Sequence, residues 1–320
     1  MRPQLRRSLV MLVAVALDLA AGDPPNRWHP VAWMGTAIAA ASRRLAHRTP
    51  ARALLSGAAL MAAGETGVLA TASACERLLH SLPEPLALLL EALMLKMTIA
   101  PRGLALAALS IERALLSGDL AAARRLLAWH LVSRDTSDLS PSQVAAATIE
   151  SVAENTSDGI VAPLLYYAAA GLRGALAYRF ANTADAMLGY HDREREWLGK
   201  VPARLDDLLN LLPSRLTAAL LLGAAAFRRE GARQAWRILR RDHARTASPN
   251  AGYPMSAMAG ALGLELEKLG HYRLGAGQAQ AQPEDISRAV RLSATALGIG
   301  LLSFTAAAAL WPRRRGHRGN

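Results

Sequence analysis

Glu150 and Glu154 stand four residues apart and Asp158 follows at the same interval, so a helix through them carries carboxylates on one face. No Lys or Arg lies between them in the sequence. Such charges repel unless a cation sits among them. Oxygen-only donors suit Mg²⁺, which also bridges phosphates. The alternative is a solvated acidic helix face, but the apolar flanks at 144–147 and 160–165 weigh against it. Asn155 adds an amide beside the carboxylates.

Five further polar groups accompany this one. Asn182 and Asp185 are three apart and share a helix face. Arg204, Asp206 and Asp207 are followed by Asn210 and Arg215; adjacent Asp206 and Asp207 point in different directions on a helix. Ser248-Pro249-Asn250-Ala251-Gly252 reads as a rigid turn, with an ordinary loop as the alternative. Arg134 and Asp135 precede Ser140, a candidate N-cap with Pro141 at the first helical position. Near the start, Asp23 and His29 lie in the turn-like string Gly22-Asp23-Pro24-Pro25-Asn26-Arg27-Trp28-His29-Pro30. The sequence contains no HExxH, no GxxxxGK[ST] and no GxGxxG, so any use of ATP proceeds without a P-loop. Cys75 is the only cysteine, which excludes an internal disulfide and a cysteine zinc site.

The elements that must position these groups are apolar. Residues 53–72 and 82–100 are each long enough to cross a bilayer and read as a membrane hairpin, although Glu65, Glu91 and Lys96 interrupt them. Residues 101–132 are amphipathic, broken into two helices at Ser117-Gly118-Asp119. The stretches 159–180 and 208–227 are interrupted by Pro163, Gly171, Arg173, Gly174, Asn210, Pro213 and Arg215. Broken helices of this kind are tolerated where the backbone lines a cavity or is buried in protein. Residues 289–311 form a cleaner span ending in Trp311 and three arginines, an interfacial anchor. The N-terminal run, basic and then apolar, resembles a signal peptide, but Asp18 and the motif-like string after it favour a retained helix.

Composition agrees. The chain of 320 residues is 52% hydrophobic and only 19% charged, with 5% aromatic residues, so its apolar content is mostly Ala and Leu. That favours helices over strands. The fold class expected is an all-α, polytopic helical membrane protein with interrupted helices and cytosolic helical loops, in one domain over 1–320. The net charge of +12 comes from Arg far more than Lys, which occurs only at 96, 200 and 268. Without a basic-aromatic motif, nucleic acid is not an expected partner; basic membrane loops or an Arg-rich genome account for the charge. By the positive-inside rule, residues 228–245, with seven Arg, are cytoplasmic, as are 43–52 and the C-terminal tail. A single span at 289–311 would nevertheless put 228–245 and the tail on opposite sides.

Taken together, the motifs resemble the CobD/CbiB membrane proteins of cobalamin biosynthesis. The ordered strings are Gly22-Asp23-Pro24-Pro25 with His29-Pro30; Arg134-Asp135-Thr136-Ser137; Glu150-Ser151-Val152-Ala153-Glu154-Asn155 with Asp158-Gly159; Tyr178-Arg179 with Asn182-Thr183 and Asp185; Arg204-Leu205-Asp206-Asp207; and Ser248-Pro249-Asn250-Ala251-Gly252. They run from about residue 15 to 275, and the set is more specific than any one string. Residues 43–130 are too rich in Ala and Leu to match anything.

The resemblance implies an enzyme of the inner cell membrane, an adenosylcobinamide-phosphate synthase. It would join the free propionate of adenosylcobyric acid to (R)-1-aminopropan-2-ol or its O-phosphate, using ATP and Mg²⁺. Partners implied are these substrates, the lipid bilayer and other membrane enzymes of the corrinoid pathway. On this reading Glu150, Glu154, Asp158 and Asp185 are metal candidates. Arg134 and Arg204, with Arg179 and Arg215, are candidates for phosphates and the substrate carboxylate, because Arg binds both bidentately. Asn155, Asn182 and Asn250 would orient substrates, with Asp23, His29 and Asp135 as further binding candidates. Asp206 or Asp207 would take the proton of the amine. The alternatives are an AmpE-like membrane sensor, a corrinoid transporter and a non-catalytic scaffold. A sensor would not need this density of catalytic-type residues, and a transporter would spread its charges through the spans.

Overall fold

The computed structural model describes residues 2–45, 49–189, 196–268 and 270–310. The C-terminal Trp311 anchor and its arginines lie outside them. Thirteen helices dominate the described residues: α1 (Pro3–Ala21), α2 (Pro30–Arg44), α3 (Pro50–His80), α4 (Glu84–Lys96), α5 (Pro101–Leu116), α6 (Leu120–His130), α7 (Pro141–Thr156), α8 (Ala162–Leu188), α9 (Glu196–Leu209), α10 (Leu211–Phe227), α11 (Ala232–Asp242), α12 (Gly252–Leu262) and α13 (Pro283–Leu310). The chain is thus the expected polytopic helical membrane protein. Pro opens α1, α2, α3, α5 and α7, where its missing N–H costs nothing. The cap expected at Ser140 is present as a full capping box with Gln143, worth about 1 kcal/mol.

Composition did not announce a small sheet. Strands β1 (Leu264–Lys268), β2 (Tyr272–Leu274) and β3 (Ala279–Gln280) follow α12 in the order β2-β1-β3. β1 pairs antiparallel with β2 and parallel with β3. Gly263, Gly270, Gly275 and Gly277 take positive φ at its turns.

The stretch 159–180 is re-entrant, as its interruptions imply. α7 runs into α8 through one π turn at Ser157–Val161, a feature common at functional sites. At Gly171, with φ 69° and ψ −154°, α8 breaks and the chain doubles back. The rings of Tyr166 and Tyr178 stack with centroids 5.1 Å apart. Twelve residues of straight helix would separate them by roughly 18 Å. The reversal frees carbonyls, and the Arg7 guanidinium donates to two of them, Ala168 O at 2.7 Å and Ala169 O at 3.1 Å. Leu164, Leu172 and Leu176 on the two limbs are all buried. The hairpin therefore lies inside protein, where irregular backbone at membrane depth is tolerated.

The helices around it present leucine outward: Leu5, Leu9 and Leu12 on α1, Leu55, Leu69 and Leu78 on α3, Leu86, Leu89 and Leu93 on α4, and Leu302 and Leu310 on α13. These are lipid-facing positions. By length and composition α3, α13, the stretch Glu84–Leu116 (α4 and α5) and the stretch Pro141–Leu188 (α7 and α8) are long and apolar enough to cross a membrane, although the last doubles back at Gly171. α1, the run that resembles a signal peptide, packs against α4 and α13 as an integral helix. Arg2 donates to the Ala309 carbonyl, so α1 begins where α13 ends. α11, with its arginines, belongs to a separate core built from α5, α6, α7, α12 and the start of α13. α13 contributes to this core through Ile286–Ala296 and to the one around α1 and α4 through Leu297.

Candidate active site

Where the hairpin limbs return to the α7, α9 and α12 end of the bundle, they bound a cavity of about 400 Å³. The π turn delivers Asp158 to it from the outgoing limb, with Glu154 and Asn155 one turn earlier on α7. The returning limb delivers Asn182 and Asp185, α9 delivers Asp206 and Asp207, and the turn before α12 delivers Asn250. Eight sequence candidates from four separate segments thus meet in one place.

Asp206 is the hub. Its two oxygens accept from Asn182 Nδ2 at 3.2 Å and Asn210 Nδ2 at 2.9 Å. Asn210, which is buried, in turn accepts from the Tyr178 hydroxyl at 2.9 Å. Tyr166, stacked on Tyr178, donates to Leu209 O at 2.7 Å. The reversal at Gly171 therefore places two aromatic rings beneath the hub and fixes its rotamer. In the sequence Asn210 follows the Arg204, Asp206 and Asp207 group and interrupts an apolar run; structurally it forms the bend of 45° between α9 and α10. Tyr178 belongs to one of the strings that carry the resemblance, but its stacking on Tyr166 had no sequence signal, because only the chain reversal brings the two together.

Asn250 ties a second wall. Its amide donates to Asp207 O at 2.7 Å, and its oxygen accepts from Ser214 Oγ at 3.3 Å and Arg215 NH1 at 3.2 Å. The Arg215 guanidinium lies 4.1 Å over the Tyr253 ring. Arg204, largely exposed, pairs loosely with Asp207 at 3.8 Å. Arg179 is half-buried; NH1 donates to Asn182 Oδ1 at 3.3 Å, and its buried Nε has no partner among the described residues. Asp23, Asp158 and Asp206 all act electrostatically on it.

Asp23 and His29 form a neighbouring cluster rather than part of the cavity wall. Lys96 Nζ, buried in the apolar stretch it interrupts, bonds Asp23 at 2.7 Å, and His29 Nε2 stands 3.5 Å from the same oxygen. His29 Nδ1 accepts from Val31 N and caps α2, leaving Nε2 as the donor. Burial pushes the Asp23 carboxyl up, but the His29 and Lys96 bonds outweigh it, and the net shift is downward from 3.8. A lowered folded value means that Asp23 stabilises the protein fully above its ordinary value and loses that contribution as pH falls through the lowered one. Asp23→Asn is accordingly expected to lower thermal stability at neutral pH by stranding Lys96, with the difference from wild type shrinking on acidification below about pH 4. Melting curves in detergent across pH check this; a constant difference would show that the carboxylate charge is not the cause.

The remaining candidates lie apart. Glu150 is buried one turn behind Glu154 with Oε1 unpartnered, within electrostatic reach of Arg134 and Lys268. Lys268, absent from the sequence candidates, arrives with β1. Asp135 is exposed, and its oxygens accept from Ser137 N at 2.9 Å and Ser137 Oγ at 3.0 Å, a local turn. Those bonds, the backbone one foremost, hold its carboxyl below the usual range.

Among the described residues the cavity wall thus carries five carboxylates (Glu154, Asp158, Asp185, Asp206, Asp207) and four amides (Asn155, Asn182, Asn210, Asn250), and no Lys or Arg. Such a surface takes cations and hydrogen-bonding polar groups. Anion donors, Arg179 and Arg215, stand just behind it. Among the described residues no three carboxylates converge as a ready-made metal cage. Mg²⁺ is ordinarily held by one or two carboxylates completed by water and phosphate, so the donor chemistry fits that ion.

The model of the CobD/CbiB protein family matches residues 11–293. A probable cobalamin biosynthesis protein CobD of Methanothermobacter thermautotrophicus is 42% identical over 300 residues, covering 94% of this chain and 96% of its own. The cobalamin biosynthesis protein CobD of Dehalococcoides mccartyi is 41% identical, covering 87% and 90%. The cobalamin biosynthesis protein CbiB of Salmonella choleraesuis is 38% identical, covering 93% and 97%. No solved structure matches the chain.

Proposed function

The chain belongs to the CobD/CbiB family, and from that premise we propose that it is the cobalamin-pathway enzyme that forms an amide between adenosylcobyric acid and (R)-1-aminopropan-2-ol or its O-phosphate at the expense of ATP. The observation that carries this reading is the cavity: five carboxylates and four amides gathered from four segments, with arginines behind them. A sensor or scaffold has no need of such a convergence.

A free carboxylate is a poor acyl donor. Transfer of the terminal phosphoryl group of ATP to the propionate oxygen gives an acyl phosphate and ADP; attack of the amine nitrogen on the carbonyl carbon then forms the C–N bond and expels inorganic phosphate. Mg²⁺, when bound, supplies charge neutralisation at the phosphates. Glu154, Asp158 and Asp185 are the residues that would hold it. The unpartnered Arg179 Nε supplies a donor for the propionate or a phosphate oxygen. Asn250, fixed by Ser214 and Arg215, orients the substrate. Asp206, held by two amides, takes the proton that the amine loses. A cavity of about 400 Å³ accommodates a small ligand; the propionate arm and the amine enter it, while the corrin ring stays at the mouth. An ATP-using site faces the cytoplasm, the side to which the arginine-rich 228–245 segment assigns this end.

Purified protein incubated with adenosylcobyric acid, aminopropanol phosphate, ATP and Mg²⁺ is expected to convert the corrinoid to a species heavier by the amine less water, read by mass spectrometry. Absence of that species with folded protein would remove the ligase reading. In the same assay Glu154→Gln is expected to lower turnover by at least about 10²-fold, with added Mg²⁺ recovering little of it. Wild-type turnover would take Glu154 out of the site.

A further inference from the structure

Helix α11 has one buried face and one charged face. Ala235, Ile238, Leu239 and Asp242 pack inward. Arg233, Arg237 and Arg240 are exposed, and their spacings of four and three put them on one side of the helix. Trp236 lies among them and is 52% exposed. Three other arginines of the segment have acidic partners. Arg241 and Arg245 pair with Asp242 at 2.8 and 3.0 Å, and Arg228 pairs with Glu230 at 3.1 Å. Those two acids are the only ones between residues 228 and 245. Among the described residues Arg233 and Arg237 have no ion pair or hydrogen bond, and Arg240 has only the Trp236 ring, whose centroid is 5.8 Å from its guanidinium carbon.

The helix before it fixes the level of this face. α10 is apolar outward: Leu211, Leu212 and Phe227 are exposed, and Arg215 is the only charged residue within it. α10 meets α13 around Leu220 and Gly223. A Cβ on Gly223 would lie 3.9 Å from Ile299, and one on Gly300 would lie 3.2 Å from Leu220. That contact falls where α13 passes from the core it shares with α11 to the core around α1 and α4, just after Ala296. Phe227 closes α10, and α11 begins five residues later. The arginine face therefore starts beside the boundary of the membrane-embedded part, where Trp rings and long Arg side chains meet both headgroups and acyl chains. A soluble polyanion would account for the arginines but not for exposed Trp236 and Phe227 next to them.

We propose that the exposed face of α11 lies on the bilayer surface, on the side of the candidate active site, and binds the headgroups of anionic phospholipids. Arg233, Arg237 and Arg240 hold the phosphates, which a guanidinium grips with two parallel hydrogen bonds. Trp236 sits at the level where headgroup gives way to acyl chain. A net negative headgroup is selected over a zwitterionic one, because no free carboxylate in the segment would hold an ammonium. The surface stands apart from the cavity, whether or not the amide-forming reaction is correct.

The test uses the full-length protein in bilayers of equal phosphatidylglycerol and phosphatidylethanolamine, released into the gas phase for native mass spectrometry. Phosphatidylglycerol is expected to be retained at least about tenfold over phosphatidylethanolamine. A variant combining Arg233→Gln, Arg237→Gln and Arg240→Gln is expected to lose that preference. The expected fall in phosphatidylglycerol retention is roughly fivefold per arginine and about 10²-fold for the three. Its melting temperature should match wild type, since all three side chains are exposed. The same positions changed to Lys keep the charge and should keep most of the preference. Arg43→Gln with Arg44→Gln, an exposed basic pair at the end of α2, should leave the preference in place. Equal retention of the two lipids by wild type overturns the proposal. So does an unchanged preference in the α11 glutamine variant, which would leave the patch to a soluble polyanion. A loss as large in the α2 variant overturns it too, because net charge rather than the α11 face would then be the cause.

Discussion

Replacing Asp206 with asparagine is expected to lower amide formation by about 10³-fold or more, the range for loss of a positioned proton acceptor, while leaving a folded protein. The carboxylate is held from two sides: Asn182 and Asn210 each donate to a different oxygen, and Tyr178 fixes Asn210 in turn. An asparagine at 206 would set its own NH₂ against one of those donors. The local cost is about 1–3 kcal/mol for a displaced hydrogen bond, far short of unfolding a core supported by the rest of the bundle. The loss should appear in turnover, and raising the amine concentration should not repair it, because the defect lies in proton acceptance rather than in binding. Asn210→Ala offers the contrast. It leaves the carboxylate but removes one of its two holders, so a smaller loss is expected, about tenfold to 10²-fold, with a pH profile displaced from that of wild type. Asp206→Asn turning over at the wild-type rate would pass the proton-accepting role to Asp207, which lines the same cavity.

Much of this site could be read from the chain. The carboxylates at 154, 158, 185, 206 and 207 stand out because acids beside apolar runs are costly unless they face a cavity. The same reading of interruptions exposed the breaks at Gly171 and Asn210, while Gly174 proved helical. Hidden from it was the geometry that the breaks create. A helix-period reading places Glu150 with Glu154 and Asp158, yet the π turn shifts the register after residue 156, and Glu150 sits behind the wall with Arg134 and Lys268. Asp135 matched a motif, but its oxygens are occupied by Ser137. Lys96 and Lys268 were seen in the sequence but not placed near the candidate residues, for a common reason. Lys96 pairs with Asp23, and Lys268 comes within electrostatic reach of Glu150 and Glu154; all are far away in sequence, and no local pattern encodes such a meeting. The three-stranded sheet was missed because its strands are only two to five residues long; β1, Leu264–Lys268, does alternate Leu with Glu, but five residues at the end of a long helical stretch are easily passed over.

Gly174→Leu is expected to be the most disruptive single change in the hairpin, and Gly174→Ala to be harmful well beyond its size. A Cβ at 174 would stand 2.2 Å from the Tyr166 carbonyl oxygen and 3.0 Å from the Ala170 Cβ. The first of these is backbone of the opposite limb, which cannot swing aside as a flexible side chain would. Relief requires the limbs to part, and parting them unstacks Tyr166 from Tyr178. Overpacking of this kind costs about 1–3 kcal/mol for small additions, so Gly174→Ala should lower the melting temperature in detergent by roughly 5 °C, and the leucine variant by more. Gly67→Ala on α3 is the control: no heavy atom lies within 4 Å of its built Cβ, and alanine is the better helix former by about 1 kcal/mol, so its melting temperature should hold or rise. Activity should fall with the Gly174 variants even below their melting points. Asp158 is carried on one limb and Asn182 and Asp185 on the other, and a spread at 166 and 174 is transmitted along both rigid helices to the cavity. A Gly174→Ala protein with wild-type stability and turnover would mean that the limbs are not in contact there, and the reversal at Gly171 would lose its role in assembling the site.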